Sequence, residues 1–307
     1  MTDATIPETR PASFALGAAA SLSVVLIWAA WLVSTRHSVG TTGHTLTALD
    51  LSLLRYGLPA IVLAPVWLRT GLWPKNTPKL PLVLMVLGSG ALFFQIVAFG
   101  MRHTPASAAG VLLPGTMPFF TAMIGILVLG ERPDFFRKIG LAAILGGGLM
   151  LLVGSLSGHA LSWISYVILP IGATCWAIYT HAFRHSGLTA FEGAALIAVW
   201  STIINLVLLP FFGTGLFDAP IGEVGLQVLT QGVLSGLASM ILYGIGVRIL
   251  GGTQAAAYTA ITPVAAALAG AWILGEPVGL PIIAAAFVTG AGVLLSTGVL
   301  SRRKAQA

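Results

Sequence analysis

Residues 118–131 read PFFTAMIGILVLGE and residues 263–276 read PVAAALAGAWILGE, so a proline opens and a Gly-Glu pair closes both stretches. The two stretches lie 145 residues apart. Other short patterns recur in the same order at shifts of 142 to 148 residues: Trp28-x-x-Trp31 as Trp176-x-x-Tyr179, Arg36-His37-Ser38 as Arg184-His185-Ser186, Thr47-Ala48-Leu49-Asp50 as Thr189-Ala190-Phe191-Glu192, and Phe99-Gly100 as Tyr243-Gly244. Landmarks that recur in order at nearly one period indicate a duplicated half.

The composition indicates that lipid, rather than water, surrounds most of this chain. Of its 307 residues, 57% are hydrophobic and only 8% are charged, and the mean hydropathy is +0.96. A soluble domain carries about 25% charged residues, so this chain cannot cover itself with a water-facing shell. The net charge of +6 does not indicate nucleic-acid binding, because no basic helix with interleaved aromatic residues accompanies it.

Ten apolar stretches have roughly the 20 residues that a helix needs to cross a bilayer. They predict an all-α integral membrane protein with five helices in each half, at residues 14–34, 46–68, 80–101, 105–129 and 134–154, then 162–183, 190–212, 223–248, 253–274 and 279–300. The two predicted repeats cover residues 14–155 and 162–300. Residues 1–13 are predicted to be a disordered cytoplasmic tail, and residues 301–307 a basic cytoplasmic tail.

Arginine and lysine counts predict the orientation of these helices. If the N-terminus is cytoplasmic, twelve of the fifteen Lys and Arg residues fall in cytoplasmic segments, Arg36 and Arg102 fall outside, and Arg55 lies within a helix. Such a bias places both termini in the cytoplasm. Because each half has an odd number of helices, the second half enters the membrane from the opposite side. The repeat is therefore predicted to be inverted around a central cavity.

Ten helices, an inverted five-helix repeat and the Pro…Gly-Glu pattern of both halves resemble the drug/metabolite transporter superfamily, and more narrowly its EamA-type ten-helix exporters. The resemblance covers residues 14–300. It implies a secondary transporter of the bacterial inner membrane that exports small metabolites, amino acids first, by alternating access. The implied partners are a small-molecule substrate and membrane lipid, without nucleic acid, cofactor or metal. No motif matches the chain to one substrate-defined subgroup.

Arg55 is the sharpest single candidate for substrate binding. It lies near the middle of the second predicted helix, where an arginine costs at least about 2.5–3.5 kcal/mol and is expected to face a cavity or a partner. In one interpretation its guanidinium binds a substrate carboxylate through two parallel hydrogen bonds. In the other it is structural, binding carbonyl groups freed by Pro59 or pairing with Asp50. Its repeat equivalents, near Ile197 and Ala198, are apolar, which fits an asymmetric substrate.

Two aromatic pairs are candidates for the cavity walls. Trp28 and Trp31 lie one turn apart on the first predicted helix, and Trp176 and Tyr179 one turn apart on the sixth. If they face inward, they lie at matching depths and could stack on a substrate or attract its ammonium group. The alternative is that they face lipid or neighbouring helices.

Polar and aromatic residues within the spans complete the predicted substrate site. The eighth helix carries such residues at every fourth position between Gln227 and Tyr243. The residues predicted to line the site are Gln95, Phe99, Asn205, Ser239, Tyr243 and Tyr258. Hydrogen bonding between helices is the alternative role for each polar member.

Three prolines are predicted to act in gating. Pro114 and Pro118 in the fourth helix and Pro263 in the ninth remove backbone donors within their spans. The resulting kinks either allow half-helices to move during transport or are static. Glu131 and Glu276 follow at helix junctions, where a carboxylate in the first turn of the next helix favours the positive end of its dipole.

Glycine-rich faces predict close helix packing on the fifth and tenth helices. Gly146, Gly147 and Gly148 lie on the fifth helix, and Gly290 and Gly292 lie on the tenth. Small residues let helices approach closely, within one chain or between two, so a homodimer through these helices is possible.

Other function classes fit the sequence less well. A membrane-embedded enzyme needs a constellation such as His-Glu-x-x-His or paired carboxylates within the spans, and the sequence has neither. A passive facilitator stays an open alternative, as does a carrier of drugs, sugar phosphates or nucleobase-like metabolites. Export of lipophilic cations is disfavoured because Arg55 would repel them and no mid-membrane carboxylate would attract them.

Overall fold

The computed structural model describes residues 11–40, 45–156, 162–250 and 252–297. Within these ranges all regular secondary structure is helical, without strands. The helices are α1 Pro11–Gly40, α2 Ala48–Val62, α3 Ala64–Thr70, α4 Lys79–Ser89, α5 Ala91–His103, α6 Ala106–Leu112, α7 Met117–Leu129, α8 Phe135–Leu156, α9 Trp163–Arg184, α10 Ala190–Phe212, α11 Ile221–Gln227, a π-helix Val228–Ala238, α12 Ser239–Leu250, α13 Gly252–Tyr258, a 3₁₀ turn Thr259–Ile261, α14 Thr262–Leu274 and α15 Leu280–Ser296.

The predicted all-helical membrane architecture is confirmed, whereas the count of ten spans and the inversion stay predictions. In the described ranges, eight helical segments are long and apolar enough to cross a membrane. The bent pair α2–α3 could supply a ninth span, and α15 is a shorter apolar helix. Residues 1–10 and 298–307, which hold most of the two predicted tails, lie outside the described residues.

The helix predicted over residues 46–68 is broken into α2 and α3 in the structure. The chain bends by 71° between α2 and α3, and Leu63 is the joint. Pro65 opens α3 and has no N–H to donate back into α2, which explains why the helix cannot continue straight. The first helix, by contrast, runs on to Gly40, so that Arg36 lies in a helix rather than in a loop.

The repeated Thr-Ala-x-Asp/Glu pattern is a pair of helix N-caps. Thr47 and Asp50 form a capping box at the start of α2, and Thr189 and Glu192 form the equivalent box at the start of α10. In each box the hydroxyl accepts the N–H of the carboxylate residue, and the carboxylate accepts the N–H of the threonine. Both boxes fix where the second helix of a repeat begins.

The repeated Leu-Gly-Glu pattern ends a helix in each half. Gly130 and Gly275 follow α7 and α14 with φ of +68° and +63°, a left-handed conformation that glycine adopts without strain. The prediction that Glu131 and Glu276 lie in the first turn of the next helix is wrong, because α8 begins at Phe135 and α15 at Leu280.

Gly125 and Gly270, one turn before these caps, leave room for the glutamate carboxylates. A Cβ on Gly125 would lie 2.7 Å from Glu131 Oε2, and a Cβ on Gly270 would lie 2.5 Å from Glu276 Oε2. At Gly270 the added carbon would also lie 2.9 Å from the backbone N of Ser107 on α6. A side chain at position 270 would therefore meet both the Glu276 carboxylate and the backbone of α6.

Gly270→Ala is expected to destabilise the protein by about 2 kcal/mol, because the backbone of α6 must move. Gly125→Ala is the matched control: only the end of a flexible side chain has to shift, so its cost is below about 1 kcal/mol. Thermal unfolding of the purified variants in detergent measures both. Equal melting temperatures for the two variants would contradict this account of the contact.

Glycine faces join α8 to α15 within the chain. Gly140 and Gly292 lie against each other's carbonyl groups, and Gly147 lies against Thr289. Part of the predicted small-residue surface is thus used for packing between α8 and α15, which correspond to the fifth and tenth predicted spans. Gly146 and Gly148 have open space beside them, and the homodimer through these helices stays a prediction.

Candidate functional site

A cavity opens between helices of both halves. Arg55 on α2 and four aromatic rings form most of its wall. Its lining residues are Trp28, Trp31, Leu32, Arg55, Phe93, Pro114, Met117 and Trp176. Seven of these eight lining side chains are apolar and uncharged, and Arg55 is the only charged one.

Among the described residues, Arg55 donates one hydrogen bond, from Nη1 to Ser235 Oγ at 2.6 Å. The centre of its guanidinium lies 4.7 Å from the centroid of the Trp31 ring. Of the described residues, no carboxylate forms an ion pair with it. A guanidinium has five N–H donors, so most of the donor capacity of this cation is not used by protein side chains.

Among the described residues, Arg55 does not bind either group that the structural interpretation requires, Asp50 or the carbonyl groups near Pro59. Asp50 is fully buried and accepts hydrogen bonds from the N–H and hydroxyl of Thr47, from Thr214 Oγ1 at 2.6 Å and from the N–H of Gly215 at 3.0 Å. Asp50 therefore binds the loop after α10 rather than Arg55. The single hydrogen bond of Arg55 likewise goes to a side chain and not to a carbonyl group near Pro59.

The two tryptophans of α1 differ in what they present to the cavity. The face of Trp31 is covered by the Arg55 guanidinium, a cation–π contact that holds the arginine in place. The Trp31 Nε1–H is buried and finds no acceptor in the described part of the chain. Trp28 instead meets Trp176 edge to face, with ring centroids 6.3 Å apart. Trp31 therefore supports the cation, and Trp28 belongs to an aromatic wall.

That wall continues along α9 and α5. Trp176 contacts Phe93 with centroids 5.7 Å apart and Tyr179 at 5.1 Å. The predicted aromatic pairs of the two halves thus meet at one cavity, although Tyr179 lies behind Trp176 and not on the lining. Aromatic clusters of this geometry are stabilised by their edge-to-face contacts.

Comparison with known proteins identifies the family. The family model described as the EamA-like transporter family matches residues 15–153 and 162–298, which is most of the chain. This chain belongs to the EamA-like transporter family.

Curated relatives of this EamA-like transporter cover nearly its whole length. A "Probable terminal-alkyne amino-acid exporter" of Streptantibioticus cattleyicolor is 26% identical over 91% of this chain and 93% of its own. A "Probable amino-acid metabolite efflux pump" of Escherichia coli is 27% identical over 93% of this chain and 96% of its own. A protein of known crystal structure aligns over 96% of this chain and 99% of its own at a TM-score of 0.63 and 18% identity, a likeness of fold.

Other predicted site residues of the EamA-like transporter lie away from the cavity lining. Phe99 is 44% exposed and packs on the His103 ring, so it faces outward. Asn205 donates to Ser52 Oγ at 2.8 Å, joining α10 to α2. Gln95 donates to the Ala48 carbonyl at 3.3 Å. These two polar residues join helices, which was the alternative interpretation.

Two of the three predicted gating prolines open helices rather than kinking them. Pro118 and Pro263 are each the second residue of their helix, α7 and α14, and each follows an irregular segment or a 3₁₀ turn. A missing N–H costs nothing in a first turn, because that donor has no partner within the helix. Pro114 lies between α6 and α7 and lines the cavity. If these prolines act in gating, the movement would occur at the breaks before α7 and α14 rather than at kinks within a helix.

The sequence pattern predicts Ser239 in the site, but Ser235 is the residue that accepts the hydrogen bond from Arg55. Ser239 donates to the Ser235 carbonyl at 2.7 Å and lies off the lining, as do the half-buried Tyr243 and Tyr258. Ser235 lies in the π-helix Val228–Ala238, whose i→i+5 hydrogen bonds change which residues share a face. Ser235 is one of the polar residues at every fourth position of this helix. A prediction that assumes α-helical geometry throughout gives no reason to prefer it to its neighbours.

Proposed function

We propose that this EamA-like transporter exports amino acids or similar zwitterionic metabolites across the bacterial inner membrane by alternating access. The observation that carries the proposal is Arg55, a cation on a largely apolar cavity with one protein hydrogen bond and no acidic partner among the described residues. A substrate carboxylate can accept two parallel N–H bonds from such a guanidinium. The cation is thus held ready for an anionic group that the protein itself does not provide.

The aromatic wall supplies the other half of the recognition. Trp28, Phe93 and Trp176 present ring edges and faces to the cavity, so an apolar substrate side chain would replace water there. Burial of apolar area contributes about 25 cal/mol per Å². The names of the two relatives, an amino-acid exporter and an amino-acid metabolite efflux pump, support the same substrate class.

The proposed topology follows from charge and repeat. Ten spans in two inverted halves, with both termini cytoplasmic, account for the arginine and lysine distribution. In such carriers the site lies at the interface of the halves, and the halves rock around it. The cavity here is lined by α1, α2, α5 and α7 of the first half and by α9 of the second, which fits that arrangement.

Counterflow into proteoliposomes tests the proposed function. A panel of labelled amino acids, amino alcohols and lipophilic cations is offered to liposomes with and without unlabelled substrate inside. We expect preloading to accelerate uptake of amino acids with large apolar side chains, and amino alcohols to be taken up poorly. Uptake without acceleration by preloading would indicate a passive facilitator. Acceleration for lipophilic cations alone would refute the proposed substrate class.

Trp176→Ala is expected to change substrate preference. Counterflow of amino acids with aromatic or large apolar side chains should fall about tenfold, because the loss of one aromatic contact surface costs roughly 1–2 kcal/mol. Counterflow of small amino acids should change little. Trp163→Ala on the same helix is the control, since Trp163 is 73% exposed and should change neither. Equal losses for every substrate would show that Trp176 is structural.

A further inference from the structure

The Gly-Glu and Arg-His-Ser motifs of the two halves meet across the repeat. Glu276 Oε1 lies 3.8 Å from Arg36 Nε, and Glu131 Oε1 lies 3.6 Å from Arg184 Nη1. Each glutamate therefore contacts the arginine of the other half. The two contacts are related by the same shifts of 145 and 148 residues that relate the halves. We call them the Glu276 clasp and the Glu131 clasp.

The two clasps lie at opposite ends of the bundle. Glu276 binds the first residues of the span Ala106–Leu129, through the N–H groups of Ala106 and Ser107. Glu131 follows the last residue of that span after one glycine. One clasp thus joins the halves at each end of the same membrane-spanning segment, with the substrate cavity between them.

The Glu276 clasp is tightly made. Glu276 is only 10% exposed and accepts the N–H groups of Ala106 at 2.8 Å and Ser107 at 3.0 Å. Arg36 reaches it while donating to the carbonyl groups of Met101 at 2.7 Å and Arg102 at 2.9 Å. The ends of α1, α5, α6 and α14 are therefore tied together at this end.

The Glu131 clasp is looser. Its carboxylate is 31% exposed and is shared between Arg184 of the other half and Arg137 of its own half, both at 3.6 Å. Arg184 is 61% exposed, so water competes for this contact. The equivalent carboxylate, after the same glycine-capped helix end, is 10% exposed and bonded to backbone in one half and 31% exposed in the other.

We infer that the two clasps are the gates of the transport cycle and that they close in turn. This inference rests on the proposed alternating access. In an inverted repeat, the reversed state of the carrier gives each half the conformation of the other. The Glu276 clasp then loosens and its end opens, while the Glu131 clasp becomes buried and its end closes. The cavity next to Arg55 is therefore exposed to one side at a time.

A labelling experiment without substrate tests the gates. Leu32, fully buried on the cavity wall one turn from Arg36, is changed to cysteine in a Cys175→Ala background. A membrane-impermeant maleimide is added from the side on which Glu276 lies. We expect Glu276→Gln to raise the labelling rate about tenfold, the effect of losing hydrogen bonds to a charged group. Glu131→Gln should lower the rate.

Labelling rates that change in opposite directions in the two variants distinguish gates from structural contacts. Structural contacts would change neither labelling rate, or both in the same direction. Asp218→Asn is the control, because it removes an exposed carboxylate outside both clasps and should leave labelling unchanged. If Glu276→Gln does not reach the membrane, Arg36→Gln removes the ion pair and leaves the carboxylate on its backbone donors. Rates that change in the same direction, or not at all, would overturn the inference even if amino acids prove to be the wrong substrate.

Discussion

Arg55→Ala is expected to reduce amino-acid counterflow by about a hundredfold or more, which is the effect of losing two charge-assisted hydrogen bonds to a carboxylate. The protein should still fold. In the described structure Arg55 makes one hydrogen bond, to Ser235, and packs over Trp31, so its removal leaves no buried carboxylate without a partner. Counterflow by purified variants, at matched amounts of folded protein, measures the effect.

Two companion variants separate charge from geometry. Arg55→Lys keeps a cation but loses the planar pair of donors, so about a tenfold loss is expected. Ser235→Ala removes the hydroxyl that holds Nη1 and keeps the guanidinium, so it should cost less than Arg55→Lys. Normal transport by Arg55→Ala would exclude the carboxylate clamp and support a structural role for the arginine.

Asp50→Ala is expected to cause the largest loss of stability, about 3–5 kcal/mol, because it leaves several buried donors without an acceptor. The carboxylate receives hydrogen bonds from Thr47, Thr214 and Gly215, and it ties the start of α2 to the loop after α10. The melting temperature of the purified protein in detergent measures this loss.

The repeat provides its own control for Asp50. Glu192 forms the equivalent capping box on α10 but is not fully buried, and among the described residues its hydrogen bonds are with Thr189. Glu192→Ala should therefore cost only about 1 kcal/mol, the usual effect of a lost helix cap. Equal losses for the two variants would mean that the bonds from Asp50 to the loop contribute nothing.

What the sequence predicts well here is local. Thr47, Asp50, Gly130 and Gly275 act on the helix that carries them, through caps that involve neighbouring residues, so their repetition translates directly into repeated helix ends. The apolar stretches give the helices for the same reason. The break at Leu63 was not predicted, because apolar content alone does not reveal where a proline interrupts a helix.

What the sequence could not predict concerns faces and pairings. Phe99 was assigned to the cavity but is 44% exposed, since apolar residues on a membrane helix suit lipid as well as a cavity wall. Ser239 was predicted because a shift of 144 residues makes it equivalent to Gln95, whereas Ser235, in a π-helix that the sequence did not predict, is the residue that binds Arg55. The repeat shows that Glu131 and Glu276 are equivalent, but equivalence does not reveal that each binds an arginine of the other half.

The most direct test of the account is a comparison of two dissociation constants. The purified protein is titrated with the amino acid that shows the fastest counterflow and with its amino alcohol, which lacks only the carboxylate, and tryptophan fluorescence from the cavity is followed. We expect the amino acid to bind about a hundredfold more tightly than the amino alcohol, and Arg55→Ala to remove the difference. Equal dissociation constants for the two ligands in the unmodified protein would contradict it.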